Sequence, residues 1–270
     1  MTEYVLKVEE DGTKICVSDV HVVLLEMIQM IDEICQKHKI DYFLNGGSAL
    51  GAVRHGGFIP WDDDLDIAMM RDDYERFIRA LQQELPEQYL FQCFDTHKEY
   101  NVMIPGMKIR KKGTYLEEVN TLLQNRCKDS DGIFIDVFVY DWCTPNKWVD
   151  LPFRLTNQLL MPVMILIDNL GINPLILKKW FVWNAKTYGR INQGSKYIGF
   201  DLTWTFKNPL KPFIFLKEDI YPTQRVKFEG LMLPIARHAH EYLCIAIAPS
   251  YMTPPPLDQQ KPKHIVDIRL

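Results

Sequence analysis

Apolar residues recur at helical spacing at Val20, Leu24, Met27, Ile31 and Ile34. This predicts a helix over 18–37, with Ser18 as N-cap and one face in a core. A second stripe, Tyr74, Phe77, Ile78, Leu81 and Leu85, predicts a helix that opens on Arg71-Asp72-Asp73 and stops at Pro86. Asp72 and Asp73 then read as helix-start charges. Between the two helices, 42–44 reads as a short strand. Later strands are expected over 89–94, 102–110 and 114–118, and residues 1–17 form a lead-in with a hairpin about Asp11-Gly12. Gly132 to Val139 is a near-continuous apolar run, hence a buried strand, with Asp136 in its middle. The pattern changes from 147. Residues 159–167 are almost wholly apolar, and a second helix begins near Asn173-Pro174 with Leu175, Ile176, Leu177, Trp180, Phe181 and Trp183. Residues 189–222 carry many glycines and prolines and read as irregular, and a last helix ends near Ala248.

The stretch 45–67 holds the chemistry. Gly46-Gly47-Ser48 forms a small-residue turn into a short helix over 48–53 and Arg54-His55 follow. Asp62, Asp63, Asp64 and Asp66 then crowd together beside Trp61, Leu65 and Ile67. Carboxylates packed so closely repel one another and call for a cation, and hard oxygen ligands suit Mg²⁺ or Mn²⁺. If 64–69 is a strand, alternation puts Asp64 and Asp66 on one face and the apolar residues on the other. Amides at the glycine turn would approach a phosphate at the helix start. A solvated acidic loop or a Ca²⁺ loop is the alternative reading. Such a loop spaces its ligands with polar residues or glycine and lacks the apolar alternation seen here. A lone carboxylate in a buried strand is costly, so Asp136 must be paired or meet a metal. Lys108 and Arg110 share a strand face and could neutralise a phosphate, whereas Lys111 and Lys112 read as solvated. Asp141 reads as a cap or loop residue. His21, His38 and Cys35 read as structural or exposed.

Hydrophobic residues make up 47% of the 270, enough for a sizeable core. The chain divides by character into a core over 1–146 and a helical and irregular part over 147–270. A net charge of −4 argues against a nucleic-acid partner. Cys16, Cys35, Cys93, Cys127, Cys143 and Cys244 are scattered without a Cys-x-x-Cys pair, which suggests reduced thiols and a cytoplasmic setting. The first residues show no basic-then-apolar leader pattern, and no uninterrupted apolar run reaches the roughly 18–20 residues of a membrane span. Apolar bodies, tryptophans and Lys178, Lys179 and Lys186 fit two readings of 159–186: a helix pair at the inner membrane surface, or a hairpin packed over the core.

The run Gly-Gly-Ser-Ala-Leu-Gly-Ala-Val-Arg-His-Gly-Gly-Phe-Ile-Pro-Trp-Asp-Asp-Asp-Leu-Asp-Ile over 46–67 resembles the signature of the LicD family, phosphocholine transferases of bacterial surface glycans related to fukutin. Phe134-Ile-Asp-Val-Phe138, Phe228-Glu-Gly and Tyr251-Met-Thr-Pro-Pro are similar to family segments too, and His264 is similar to a C-terminal family histidine. Ala248-Pro249-Ser250 departs from the usual pattern. The likeness runs over roughly 20–265. It implies an α+β fold: a nucleotidyltransferase-like mixed sheet with flanking helices and a mostly helical C-terminal elaboration. It implies Mg²⁺ (or Mn²⁺) on Asp62, Asp64, Asp66 and Asp136, with Asp64, Asp66 and Asp136 catalytic. Gly46, Gly47, Ser48, Arg54, His55, Lys108 and Arg110 would face phosphate. The donor it implies is CDP-choline, giving up phosphocholine to a sugar hydroxyl of a surface glycan, in some cases lipid-linked, and releasing CMP. Transfer of ribitol phosphate or glycerol phosphate from a CDP-polyol is the nearest alternative. An inactive nucleotide-binding relative and a Ca²⁺-binding structural protein are more distant ones. Choline would want an aromatic cage, for which Trp61, Tyr140, Trp142, Trp204 and Tyr251 are the candidates.

Overall fold

The computed structural model describes residues 3–119, 126–204 and 209–270. A hairpin of β1 (Val5–Val8) and β2 (Lys14–Cys16) leads into α1 (Val17–His38). The cap of α1 is Cys16, not Ser18, because the Asp19 carboxylate accepts the Cys16 N–H at 2.7 Å. Then come β3 (Phe43–Leu44), α2 (Gly46–His55), β4 (Asp66–Met70) and α3 (Arg71–Glu84). Helix α2 begins two residues earlier than its spacing predicts, so Gly46 and Gly47 are its first turn. Strand β4 begins at Asp66, which leaves Asp64 on the approach to it. β5 (Tyr89–Cys93), β6 (Met107–Lys111), β7 (Tyr115–Glu118) and β8 (Phe134–Cys143) follow. The strand expected over 102–110 is thus short, and Tyr100 to Ile104 instead form a buried loop around a hydroxyl bond from Tyr100 to the Pro105 carbonyl.

The remainder is α4 (Lys147–Asn169), α5 (Leu175–Ile191), β9 (Tyr197–Phe200), β10 (Ile214–Leu216), α6 (Lys217–Ile220), β11 (Gln224–Phe228), β12 (Leu231–Ile235), α7 (Ala239–Ala246) and β13 (Ile265–Arg269). The described residues of 189–222 therefore hold two strands and a helical turn. Strands of three or four residues are too short to show alternation.

One mixed sheet of seven strands carries the fold. Strand β8 is its axis. It runs parallel to β4 along one edge; along the other it pairs first with β6 and then with β9. β5 extends the sheet beyond β6, β10 beyond β9, and β3 beyond β4. Strands from after 147 thus complete a sheet begun before it. Val20, Met27 and Ile31 of α1 and Phe77 of α3 are fully buried in the single large core cluster around this sheet. None of the six cysteines forms a disulfide, and five are buried.

The C-terminal segment is strapped over the sheet. β13 pairs antiparallel with β7. The buried Asp63 carboxylate accepts the backbone N–H groups of Lys263, His264 and Ile265 at 3.5, 3.2 and 3.1 Å. Asp63→Ala strands these donors. It is expected to cost about 1–3 kcal/mol, lower the melting temperature and speed tryptic cleavage after Lys263. Unchanged proteolysis would show that β13 alone holds the strap.

Candidate functional site

The register of the sheet sets the site. Asp66 on β4 lies opposite Asp136 on β8, Asp136 lies opposite Lys108 on β6, and Lys108 lies opposite Gln92 on β5. The third carboxylate thus stands on the neighbouring strand, directly across from the acidic run. Two carboxylates side by side are unfavourable without a counter-charge. Lys108 supplies part of it. Its buried Nζ sits 3.0 Å from Asp136 Oδ1, 3.1 Å from Glu118 Oε1, and 3.3 Å from the centre of the Phe134 ring. Asp136 Oδ1 makes that ion contact but accepts no hydrogen bond. Arg110 is buried on the same face, donates to the Gly132 carbonyl at 2.7 Å, and lies 3.7 Å from Glu118. Lys108 and Arg110, two of the cations expected at phosphate, are therefore engaged with the protein.

Alternation sorts the acidic run. Asp62, Asp64 and Asp66 are half-buried on one side, while Asp63, Leu65 and Ile67 are buried on the other. Burial first, then the Asp64 charge, pushes Asp62 up to about 7. Burial, then Asp63 and Asp136, does the same to Asp64. Asp66 is raised well above the ordinary carboxylate range by burial and by Asp64, Asp136 and Asp62. Asp136 is raised by burial against the pull of Lys108. Four hard oxygen donors that resist ionisation, with one carboxylate oxygen lacking a hydrogen bond, fit a divalent cation.

The glycine turn lies against this run. A Cβ on Gly47 would stand 2.8 Å from Asp62 Oδ2, and one on Gly46, whose φ is +51°, would reach Asp66 Oδ2 at 4.0 Å. Ser48 Oγ accepts the Asp66 N–H at 2.8 Å, which ties the helix start to the strand start. Gly46 N–H donates to the Tyr242 hydroxyl, and Ser48 N–H to the Asn45 carbonyl. Two of the three amides expected to cradle a phosphate are thus used within the chain. Arg54 donates to the Tyr251 carbonyl at 2.8 Å; its pKa is lowered by burial against an opposing pull from Asp62. His55 is exposed, edge-on to Trp61 at 6.0 Å.

The structure adds neighbours to the site, of which Asn45 escaped the sequence reading. Asn45 Oδ1 accepts both the Tyr140 and Tyr242 hydroxyls, at 3.1 and 2.7 Å, in a buried network under the glycine turn. Its position just before a glycine pair at a helix start was the available signal. His264 Nε2 lies 3.4 Å from Asp64 Oδ2. Among the described residues, the set of three side chains with ligand atoms within 4.8 Å of one another is Asp62, Asp63 and His264, with the Asp63 oxygens already held by amides. Asp64, Asp66 and Asp136 share the face without closing to that distance. His21 Nε2 lies 2.6 Å from the Asp62 carbonyl oxygen, and its ring stacks on Phe58 at 4.1 Å. Asp141 is neither a cap nor a loop residue. It lies in β8, buried, and takes a forked pair of bonds from Arg71, which also binds Asp201. Of the candidate cage residues, Tyr140 is fully buried, Trp142 packs under Lys217, Trp204 meets Phe138 edge-on, and the buried Tyr251 hydroxyl meets His240. Only Trp61 directly precedes the acidic run, with Tyr4 at 6.2 Å.

The chain is similar to several known proteins. The chain is 26% identical to the lipopolysaccharide cholinephosphotransferase LicD of Haemophilus influenzae, over 93% of this chain and 97% of that one. It is 40% identical over 50 residues to the human ribitol 5-phosphate transferase FKRP, which covers 18% of this chain and 10% of FKRP. An uncharacterized protein of Rickettsia prowazekii is 39% identical over 80 residues, 29% of each chain. Residues 39–142 match the family described as "LicD/FKTN/FKRP, nucleotidyltransferase domain". The segment that holds the glycine turn, the acidic run and Asp136 is thus the part of the chain that is similar to the LicD-family domain.

Proposed function

We propose that this chain is a transferase of the LicD kind that moves phosphocholine from CDP-choline to a sugar hydroxyl of a surface glycan and releases CMP. The observation that carries the reading is the facing pair Asp66 and Asp136 with Asp62 and Asp64 beside them. Asp64, Asp66 and Asp136, with Asp62 in reach, would hold Mg²⁺ or Mn²⁺. The ion would supply charge neutralisation at the diphosphate oxygens. The acceptor oxygen bonds to the phosphorus that carries the alcohol, the bond to CMP breaks, and the hydroxyl proton passes to a carboxylate of the cluster. Asp136, which faces Asp66 across the sheet, is the candidate for that task. Arg54 stands at the end of α2 as the phosphate partner, since a guanidinium matches phosphate with two parallel bonds. Lys108 keeps Asp136 in place, and Ser48 keeps Asp66 in place.

Choline is favoured over a polyol by one observation. A cleft of about 700 Å³ is lined by Trp61, Tyr4, Phe58, His21, Glu3 and Glu229. Aromatic faces and carboxylates suit a quaternary ammonium, whereas a polyol asks for neutral hydrogen-bonding groups. The similarity to a named cholinephosphotransferase over most of the chain supports phosphocholine as the group transferred.

Acceptor-dependent CMP release from CDP-choline, abolished by EDTA, is the expected result of a donor panel that includes CDP-ribitol and CDP-glycerol. Release only from a polyol donor would keep the site and change the substrate. Asp64→Asn and Asp136→Asn are each expected to lower kcat by about a hundredfold or more, roughly 2.7 kcal/mol. Full turnover by Asp64→Asn would overturn its role.

The raised carboxylates also fix a pH dependence. Their folded pKa values lie above the unfolded value of about 3.9, so the folded chain holds the extra protons and loses stability as pH rises from about 4 through about 7. Without divalent ions the melting temperature is expected to fall between pH 5.5 and 8, at about the range of these groups. Mg²⁺ is expected to raise it more at the higher pH, with proton release on binding. Thermal melts with and without Mg²⁺ check this; an equal Mg²⁺ effect at both pH values would contradict it.

A further inference from the structure

Helix α4 is apolar on two faces: Leu160, Met161 and Ile165 pack inward around Met164, and a second set faces outward. Its buried residues are Asp150, Asn157, Met164 and Asp168, and three of these four are polar. Each polar one is satisfied within the protein. Asp150 takes Arg154 and the Tyr188 hydroxyl, Asn157 donates to the Phe181 and Leu202 carbonyls, and Asp168 takes Arg126. The opposite face carries Trp148, Leu155, Leu159, Val163, Leu166 and Leu170, all exposed, at helical spacing. Trp148 is 92% exposed and Leu159 72%. Over those residues the stripe runs about 33 Å at 1.5 Å per residue. Helix α5 adds Ile176, 82% exposed, with Trp180 and Trp183. A soluble helix normally buries such a face.

Charge identifies what covers it. Between 147 and 191 the only acidic residues are Asp150 and Asp168, both buried and ion-paired. The exposed charges there, Lys147, Lys179 and Arg190, are all positive, in a chain whose net charge is −4. Among the described residues no helix is long and apolar enough to cross a membrane. An apolar face with tryptophans, on helices whose own exposed charges are all positive and that are not apolar enough to span, matches a surface that lies in the interface of an anionic bilayer.

We propose that the α4–α5 hairpin seats the protein on an anionic lipid surface, with the Trp148–Leu170 stripe and Trp180 and Trp183 entering the headgroup region. The proposal stands apart from the transfer reaction, and its test needs no turnover. The full chain is sedimented with vesicles of phosphatidylglycerol and phosphatidylcholine, and with phosphatidylcholine alone, at low and high salt. Binding to the anionic vesicles is expected, weakened by salt, with a blue shift of tryptophan emission. A Leu159→Glu/Leu166→Glu double variant changes only exposed positions and is expected to melt like the wild type while binding about tenfold less. Lys147→Glu/Lys179→Glu is expected to lose the preference for anionic vesicles. No binding at low salt, equal binding by the double variant, or a dimer that this variant breaks in a chain that ignores vesicles would each overturn the proposal.

Discussion

The structure depends on one unfavourable neighbour relation: Asp66 faces Asp136 across parallel strands in the middle of the sheet. Two carboxylates there cost free energy in the isolated chain, because burial and mutual repulsion both oppose ionisation. The fold meets that cost locally. Lys108 comes in from β6 on one side of Asp136, and Ser48 and the glycine turn close on Asp66 from the other. Strand β8 can hold this arrangement because its ten residues pair with β4 along one edge and with β6 and β9 in succession along the other. A cluster so well braced and so poorly neutralised is suited to take up a cation that arrives with substrate.

The four aspartates of the run divide by the direction in which the chain points them. Asp62, Asp64 and Asp66 face the site. Asp63 faces inward and receives three amides from the C-terminal strap. That strap in turn brings His264 to Asp64, and pairs β13 with the strand that bears Glu118, a partner of Lys108. The end of the chain and the acidic run are therefore one unit. Glycine has a physical task here too, since a side chain at position 47 would collide with Asp62.

Much of this was legible in the sequence. The helical stripes of α1 and α3, the α+β class and the buried strand around Asp136 follow from periodicity, because long or strongly apolar segments show their period plainly. The pairing of acidic run and Asp136 was legible through the cost of a lone buried carboxylate. Other features depend on tertiary partners and leave little local trace. Asp63 looks like its neighbours until the strap is in place. His264 lies some 200 positions away from its partner in the chain. Arg110 and Lys108 read as free cations, but Glu118 and Gly132 claim them. Asp141 read as a cap, yet Arg71 and Asp201 bury it. Strands β9 and β10 are too short to carry a period and owe their place to the free edge of β8.

The central claim is that the face shared by Asp64, Asp66 and Asp136 is a divalent-cation site. The most direct test is anomalous diffraction from crystals soaked in Mn²⁺ with a CDP-alcohol. The account predicts a peak within ligand distance of Asp66 and Asp136, lost in Asp66→Asn crystals. No peak, or one confined to Asp62, Asp63 and His264 with the facing pair bare, would contradict it.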